Sequence, residues 1–454
     1  MAILGSVIKR AIELKGKTPW DKNRTLNGTT AQTKVLRKQL TKAQKTDFGR
    51  RFHFDKILHS PDVVRAYKEK VPVFDYSLMH QEWWHQSLKG KTNITWPAQT
   101  RYFALSSGTS EASSKYIPVT NDMIRAIKKT SVRQIFTLAR YQFSRKFFEK
   151  GILMLGGSTH LNYNGTYYEG DLSGITAGNI PFWFQHFYKP GKKIARERDW
   201  ETKLDEIVKK APEWDIGVIV GVPAWIQILL QRIIQQYNLN SIHDIWPNLN
   251  IYVHGGVSFS PYAHGFKQLL GKQITYIETY LASEGFIAYQ DRPDSNGGMH
   301  LVIDNGLFFE FVPFNDENFD EEGNLRDRFP ETFTIDQVKE GKQYALLIST
   351  CSGAYRYLIG DVVRFTNHSR YEIIITGRTK HFLNLCGEHV SQDNMNKAIE
   401  LTAKDLNANI SEFAVTGIEH EKMFAHKWYI GVDKKVSEIK TKALIDKHLK
   451  ELND

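Results

Sequence analysis

The order in which strand-like and helix-like segments follow one another restricts this chain to a few architectures. The run DIGVIVGV passes directly into PAWIQILL, so an apolar strand gives way to a helix that starts at Pro223, where a missing N–H costs nothing. That apolar stretch, residues 216 to 230, is too short to cross a bilayer, and the proline interrupts it. RYFALS and NIYVHGG read as further strands, and NDMIRAIKKTSVRQIFTLARYQF reads as a helix capped by Asn121 or Asp122. Later the strands follow one another: ITYIETYLAS, GLFFEFVPF, QYALLIST, YRYLIGDVVRF and YEIIITG. Strands interleaved with helices predict an α/β domain, and the later run predicts an added antiparallel or barrel-like part.

At 454 residues the chain exceeds what one hydrophobic core organises, which predicts a large domain and at least one smaller one. Its two cysteines, Cys351 and Cys386, are too few for a disulfide framework and fit a reducing compartment; Cys386 reads as a buried, inert thiol. The first residues, MAILGSVIKRAIELKGK, carry charges that break any signal-peptide core, so a cytoplasmic location is expected. The net charge of +10 lies entirely in residues 1 to 52, which hold thirteen Lys and Arg against three acidic residues. Within that arm Val35, Leu36, Leu40 and Ala43 form one helical face with the lysines outside. A solvated helix face is therefore expected, with neither nucleic acid nor membrane as a partner. HQEWWH lacks zinc spacing and reads as a packed aromatic surface, and NDENFDEEGNLRDR as a solvated acidic loop. His254 beside the glycine pair reads either as a nucleotide neighbour or as a satisfied strand-end histidine, and Trp225 as core or acyl-pocket wall.

The chemistry concentrates in four places. SSGTSEASSK, residues 106 to 115, follows a strand and offers backbone N–H groups, hydroxyls and one ammonium, a set suited to a polyphosphate. It lacks the GxxxxGK[ST] of nucleoside triphosphatases. YLASEG ends a strand with Tyr280 and Glu284, an aromatic face and a carboxylate suited to a base and a magnesium ion. YRYLIGDVVRF places Asp361 after a glycine, where a carboxylate accepts ribose hydroxyls, and GRTKHFLNLCGEHVS follows EIIIT with a Gly-Arg turn.

In order and spacing these segments resemble the adenylate-forming superfamily of acyl-CoA synthetases, peptide-synthetase adenylation domains and firefly luciferase, and most closely its auxin-responsive acyl-acid amido synthetases. HGGVSFSPY is similar to that family's adenine-side glycine segment, QTKVLRKQLTKAQKTDFGRRF and AHKWYIGVD are similar to other features of it, and the resemblance spans roughly residues 30 to 454. It implies an α/β adenylate-forming fold: a large domain, residues 1 to 376, of helix-flanked sheets with a barrel-like part, then a small α+β domain, residues 377 to 454, turning on a hinge at about 377 to 380. It implies that ATP and Mg²⁺ are used to adenylate a small carboxylic acid, releasing pyrophosphate, and that the acyl group then passes to an amino acid amine, releasing AMP.

Position by position, the resemblance assigns Ser106, Ser107, Gly108, Thr109 and Ser110 to the β- and γ-phosphates, with Lys115 adding charge. Gly255, Gly256 and Val257 would line one face of the adenine and Tyr280 the other. Ser283 would hold the α-phosphate, Glu284 the metal and Asp361 the ribose, with Arg378 approaching the sugar from the domain junction. No enzyme nucleophile is required. Two departures stand out. Glu111 sits among the phosphate-loop residues and is expected to point outward. The small domain stops at Asp454, before the glycine-rich stretch whose lysine serves adenylation in the family, so it reads as truncated. The alternatives are a thioester ligase using coenzyme A and a catalytically reduced nucleotide-binding or interaction protein.

Overall fold

The computed structural model describes residues 27–106, 115–141, 143–177, 186–380, 382–383, 390–420 and 423–452. Helix α1 (Gly28–Ala43) starts where the Asn27 side chain accepts the Thr29 N–H, and it buries Ala31, Val35, Leu36, Leu40 and Ala43. Lys34, Arg37, Lys38, Lys42 and Lys45 stay exposed, the solvated basic face that the spacing predicts. Helix α2 (Asn121–Thr137) is capped one residue earlier than expected, by Thr120, whose hydroxyl accepts the Met123 N–H. Asp122 lies inside the first turn, where its carboxylate pairs with Lys42 and Arg125 and accepts the Trp96 indole N–H at 3.0 Å. Helix α3 (Pro223–Gln236) starts at its proline as read.

Strands β1 (Tyr102–Ser106) and β2 (Lys115–Val119) form an antiparallel pair within a small four-stranded sheet. The large sheet has eleven described strands. Its parallel part comprises β3 (Gly151–Leu155), β4 (Ile216–Gly221), β5 (Ile251–Gly255) and β6 (Thr275–Ala282), with a short strand at Tyr188–Lys189 on the edge. The antiparallel part continues from β6 through β7 (Gly285–Tyr289), β8 (Met299–Leu301), β12 (Glu372–Arg378), β11 (Tyr357–Asn367) and β10 (Gln343–Thr350) to β9 (Leu307–Pro313) at the far edge. The late strands thus extend the sheet that the early ones begin.

Alternation along the parallel strands gives two buried faces. Tyr252 packs with Leu155, Ile219, Phe266 and the inward side of α3; Ile251 and Ile277 pack with Tyr141 and Phe147 on the other side. Edge strand β9 is closed by α1. The Gln32 side-chain amide donates to Ile303 O at 2.6 Å and Leu307 O at 3.0 Å and accepts the Phe309 N–H at 2.6 Å. A sheet edge that would otherwise offer bare backbone groups is thereby paired. C-terminal to the sheet, α4 (Gln392–Leu406), α5 (Glu438–Leu452) and the hairpin β13 (Ile410–His420) and β14 (Met423–Val432) share a separate cluster that includes Met395, Ile399, Ile410, Ile445 and Leu449.

Candidate active site

The site lies where the sheet changes direction. Strand β6 runs parallel to β5 and antiparallel to β7, so the C-terminal ends of β5 and β6 open beside the turn that leads back along β7. In open α/β sheets, ligands bind outside the carboxyl ends of the parallel strands. Gly255 ends β5 opposite Thr279 of β6, and a Cβ there would overlap the Thr279 carbonyl oxygen, so only glycine lets the two strands approach this closely. Gly256 follows with φ +86°, and Val257 is exposed. The Thr279 hydroxyl donates to His254 O at 2.9 Å and secures the same strand end.

Tyr280, Asp361, Arg378 and Glu284 come together from three strands and the β6–β7 turn. Asp361 and Arg378 face each other across the β11–β12 register, with the Arg378 Nε 3.3 Å from the Asp361 Oδ1. Arg378 also donates from Nη2 to Ile359 O at 3.1 Å. Gly360, with φ +91°, leaves room for it, since a Cβ there would lie 3.2 Å from Nη2. The Tyr280 hydroxyl donates to the other Asp361 oxygen, Oδ2. Burial, the Asp361 charge and this hydrogen bond together hold the Tyr280 hydroxyl well above its ordinary range, so it stays a donor. Glu284 sits buried in the β6–β7 turn, which the φ of +148° at Gly285 permits. Burial, reinforced by the Asp361 charge, pushes its carboxyl up to about 7, against its own backbone N–H, the Arg378 charge and the Tyr357 hydroxyl, which oppose the shift. Ser283 precedes it in the turn.

Ser106 and Lys115 are register partners at the end of the antiparallel β1–β2 pair. Ser107, Gly108, Thr109, Ser110 and Glu111 lie outside the described residues, as does Cys386. The Lys115 ammonium lies 5.4 Å from the centre of the Tyr76 ring. Tyr76 accepts the Tyr116 N–H at 2.9 Å and lies 6.1 Å from Trp84, which in turn lies 5.6 Å from Tyr357. Tyr357 donates to Glu284. An aromatic path thus joins Lys115 to Glu284; the sequence singles out the segments that hold Trp84 and Tyr357 but not Tyr76 or the path itself. The HQEWWH segment, expected as a packed aromatic surface, forms a π-helical turn, His80–Trp84, that buries Trp84 completely. The doubled tryptophan in so polar a stretch was the available signal. His254 is 95% buried, as its 5% exposure records; it stacks on Phe259 at 4.7 Å, and its Nδ1 has no partner, so it is not a satisfied strand-end histidine. Trp225 packs beside Trp200 at 4.9 Å against the α3-side core.

A family model described as the GH3 family N-terminal domain matches residues 22–165 and 157–274, and one described as the GH3 family central domain matches residues 300–372. The chain belongs to the GH3 family. An indole-3-acetic acid-amido synthetase, GH3.2 of Arabidopsis thaliana, is 22% identical over 443 residues, covering 83% of this chain and 78% of the relative. A GH3.15 acyl acid amido synthetase structure superposes with a TM-score of 0.77 at 16% identity, covering 98% of this chain and 85% of its own. A 2-hydroxyisobutyryl-CoA ligase in the postadenylation state, bound to 2-HIB-AMP, superposes with a TM-score of 0.64 at 12% identity over 95% of this chain and 86% of its own. At these identities the two structures establish a shared α/β adenylate-forming fold. Among the described residues no helix is long and apolar enough to cross a membrane.

Proposed function

We propose that this GH3 protein is an ATP-dependent acyl-acid amido synthetase that adenylates a small carboxylic acid and transfers the acyl group to the amine of an amino acid. The observation that carries this reading is the meeting of Tyr280, Asp361, Arg378 and Glu284 at the point where the sheet reverses. Asp361 is oriented by two donors and keeps acceptor capacity for ribose hydroxyls, and Arg378 stands beside the same sugar. Gly255, Gly256 and Val257 supply a flat wall for adenine and Tyr280 the opposing surface. Ser106, with residues 107 to 110, and Lys115 surround the departing phosphates, and Ser283 holds the α-phosphate. Residues 377 to 380 act as the hinge between the large and small domains.

In the first half-reaction the acid's carboxylate attacks the α-phosphate and pyrophosphate leaves, which requires donors aimed at the charge that develops on the leaving group. The buried carboxylate of Glu284 is a hard-oxygen donor, so it would hold Mg²⁺, which would neutralise phosphate charge when bound. In the second half-reaction the amine attacks the acyl carbonyl and AMP departs. The test is pyrophosphate release from Mg-ATP with a panel of carboxylic acids, followed by mass detection of the amide. Acid-dependent release with an amino acid conjugate is expected. Release that ends only in a coenzyme A thioester would reassign the acceptor, and no release with any acid would sink the reading.

A further inference from the structure

The synthetase reading leaves one polar group beside the site without a task. Glu278 lies half-buried on β6, in register with His254 on β5, so alternation turns both side chains to the face that carries Tyr252 and Tyr276. Phe259 covers this face, stacked on His254 and 4.7 Å from Tyr276. Among the described residues the Glu278 carboxylate has no ion pair and no hydrogen bond, and neither does the His254 imidazole. The Glu278 backbone is nonetheless pinned on both sides: its carbonyl accepts the Gln290 N–H at 2.9 Å and its own N–H reaches the Gln290 Oε1 at 3.2 Å. A carboxylate held this firmly and left unpaired is costly to keep. Glu278 stands two strand positions, about 7 Å, from Tyr280, and the next residue, Thr279, fixes Gly255.

We propose that Glu278 takes the proton from the incoming amine in the second half-reaction, an assignment that rests on the synthetase reading above. The ammonium of the amino acid gives one proton to the Glu278 carboxylate. The freed lone pair forms the C–N bond at the acyl carbonyl, the C–O bond to phosphate breaks with its electron pair leaving on AMP, and the second proton of nitrogen goes to water. Burial pushes the Glu278 carboxyl up to about 7, where a base exchanges protons most effectively at neutral pH. The titratable or charged groups facing Glu278 include Tyr252 and His254 on β5, Tyr276 and Tyr280 on β6 itself, Tyr262 on the turn after Phe259, and Lys397 and Glu400 on α4; β7 leads into the neutral Gln290. Burial alone accounts for the shift at Glu278.

The test compares the parent full chain with Glu278→Gln in two assays. Hydroxylamine, already neutral at pH 7, traps the adenylate without needing a base, whereas an amino acid needs one. The variant is expected to form hydroxamate within about twofold of the parent while its amide formation falls at least about 100-fold. The parent's amide rate should bend near pH 7; the variant's should lose that bend and climb toward the pKa of the free amine. Glu278→Asp should restore part of the rate together with the bend. Equal amide rates, an unchanged pH profile, or parallel loss of both activities would overturn the assignment. A parent that releases no pyrophosphate with any acid fells the synthetase reading itself, a result visible before the variant is assayed.

Discussion

A Cβ at Gly255 has nowhere to go except into the Thr279 carbonyl, so Gly255→Ala must move β5 against β6 at the point where both reach the site. We expect that variant to fold, and to lose at least about tenfold in apparent ATP affinity, roughly 1.4 kcal/mol, read by titration calorimetry. Asp361→Asn keeps the shape but weakens an acceptor that Tyr280 and Arg378 both address, and a loss of similar size is expected in the KM for ATP; an unchanged KM would remove Asp361 from the nucleotide site. Two neighbours should respond to pH with opposite sign. His254 is held neutral by burial, its pKa depressed to about 4, so the folded state binds fewer protons than the unfolded chain between about pH 6.5 and 4. Stability is therefore lost as pH falls through that window, by up to roughly 3 kcal/mol, and His254→Phe should remove that part of the acid sensitivity in urea titrations. Glu278 is raised to about 7, so its contribution is fully present below about pH 4.5 and is lost as pH rises through 7. Glu278→Gln should match the parent at pH 4.5 and exceed it in stability at pH 8; the reverse order would mean that the carboxylate is paired after all.

Among the elements, α1 shows what sequence can and cannot reveal. Its apolar face was legible because Val35, Leu36, Leu40 and Ala43 repeat at helical spacing, a signal local to the helix. Gln32 and Gln39 on the same face read as polar interruptions, and only the fold shows them buried against the β9 edge and the 306 and 349 carbonyls. Gln32→Leu should therefore cost roughly 2 to 4 kcal/mol despite its gain in hydrophobicity, because it strands backbone groups at Ile303, Leu307 and Phe309; a stability within experimental error of the parent would contradict the pairing. The same limit hid the π-helical turn. Nothing local distinguishes a tryptophan that packs on Tyr357 from one at a surface, since Tyr357 is far away in the chain. Strand positions and the Pro223 helix start were readable from apolar runs and turn chemistry, and the N-cap was missed by one residue because Thr120, Asn121 and Asp122 are all capable caps. The grouping of Tyr280, Glu284, Asp361 and Arg378 came from resemblance alone: the register that brings Asp361 against Arg378 is a property of paired strands, which no spacing rule states in advance.

For the molecule as a whole, the eleven-stranded sheet carries Tyr280, Asp361 and Arg378, and polar groups are among the contacts by which the C-terminal segment meets it. Ser260, five residues after Gly255, donates to Glu400 on α4, and Lys397 holds the same carboxylate at 2.9 Å. Nearby, a Cβ at Gly265 would lie 3.2 Å from the Asn409 amide nitrogen, so the chain just past the glycine pair is fitted closely to the start of the C-terminal hairpin. These contacts are small beside the apolar cluster that α4 and α5 share with β13, which leaves the segment's internal packing independent of its attachment. Glu400→Ala should accordingly cost only about 1 kcal/mol in global stability, since the pair is partly exposed. Its effect should appear locally. In hydrogen exchange, amides of residues 257 to 262, on the sheet side of the contact, should lose protection several-fold, while amides inside α4 and α5 should keep theirs because their own core is intact. If α4 and α5 lose protection in step with residues 257 to 262, the segment has no independent core. If residues 257 to 262 stay as protected as in the parent, Glu400 does not anchor them. Because those residues continue directly from Gly256, the first outcome would also tie the placement of the C-terminal segment to the strand end proposed to receive adenine.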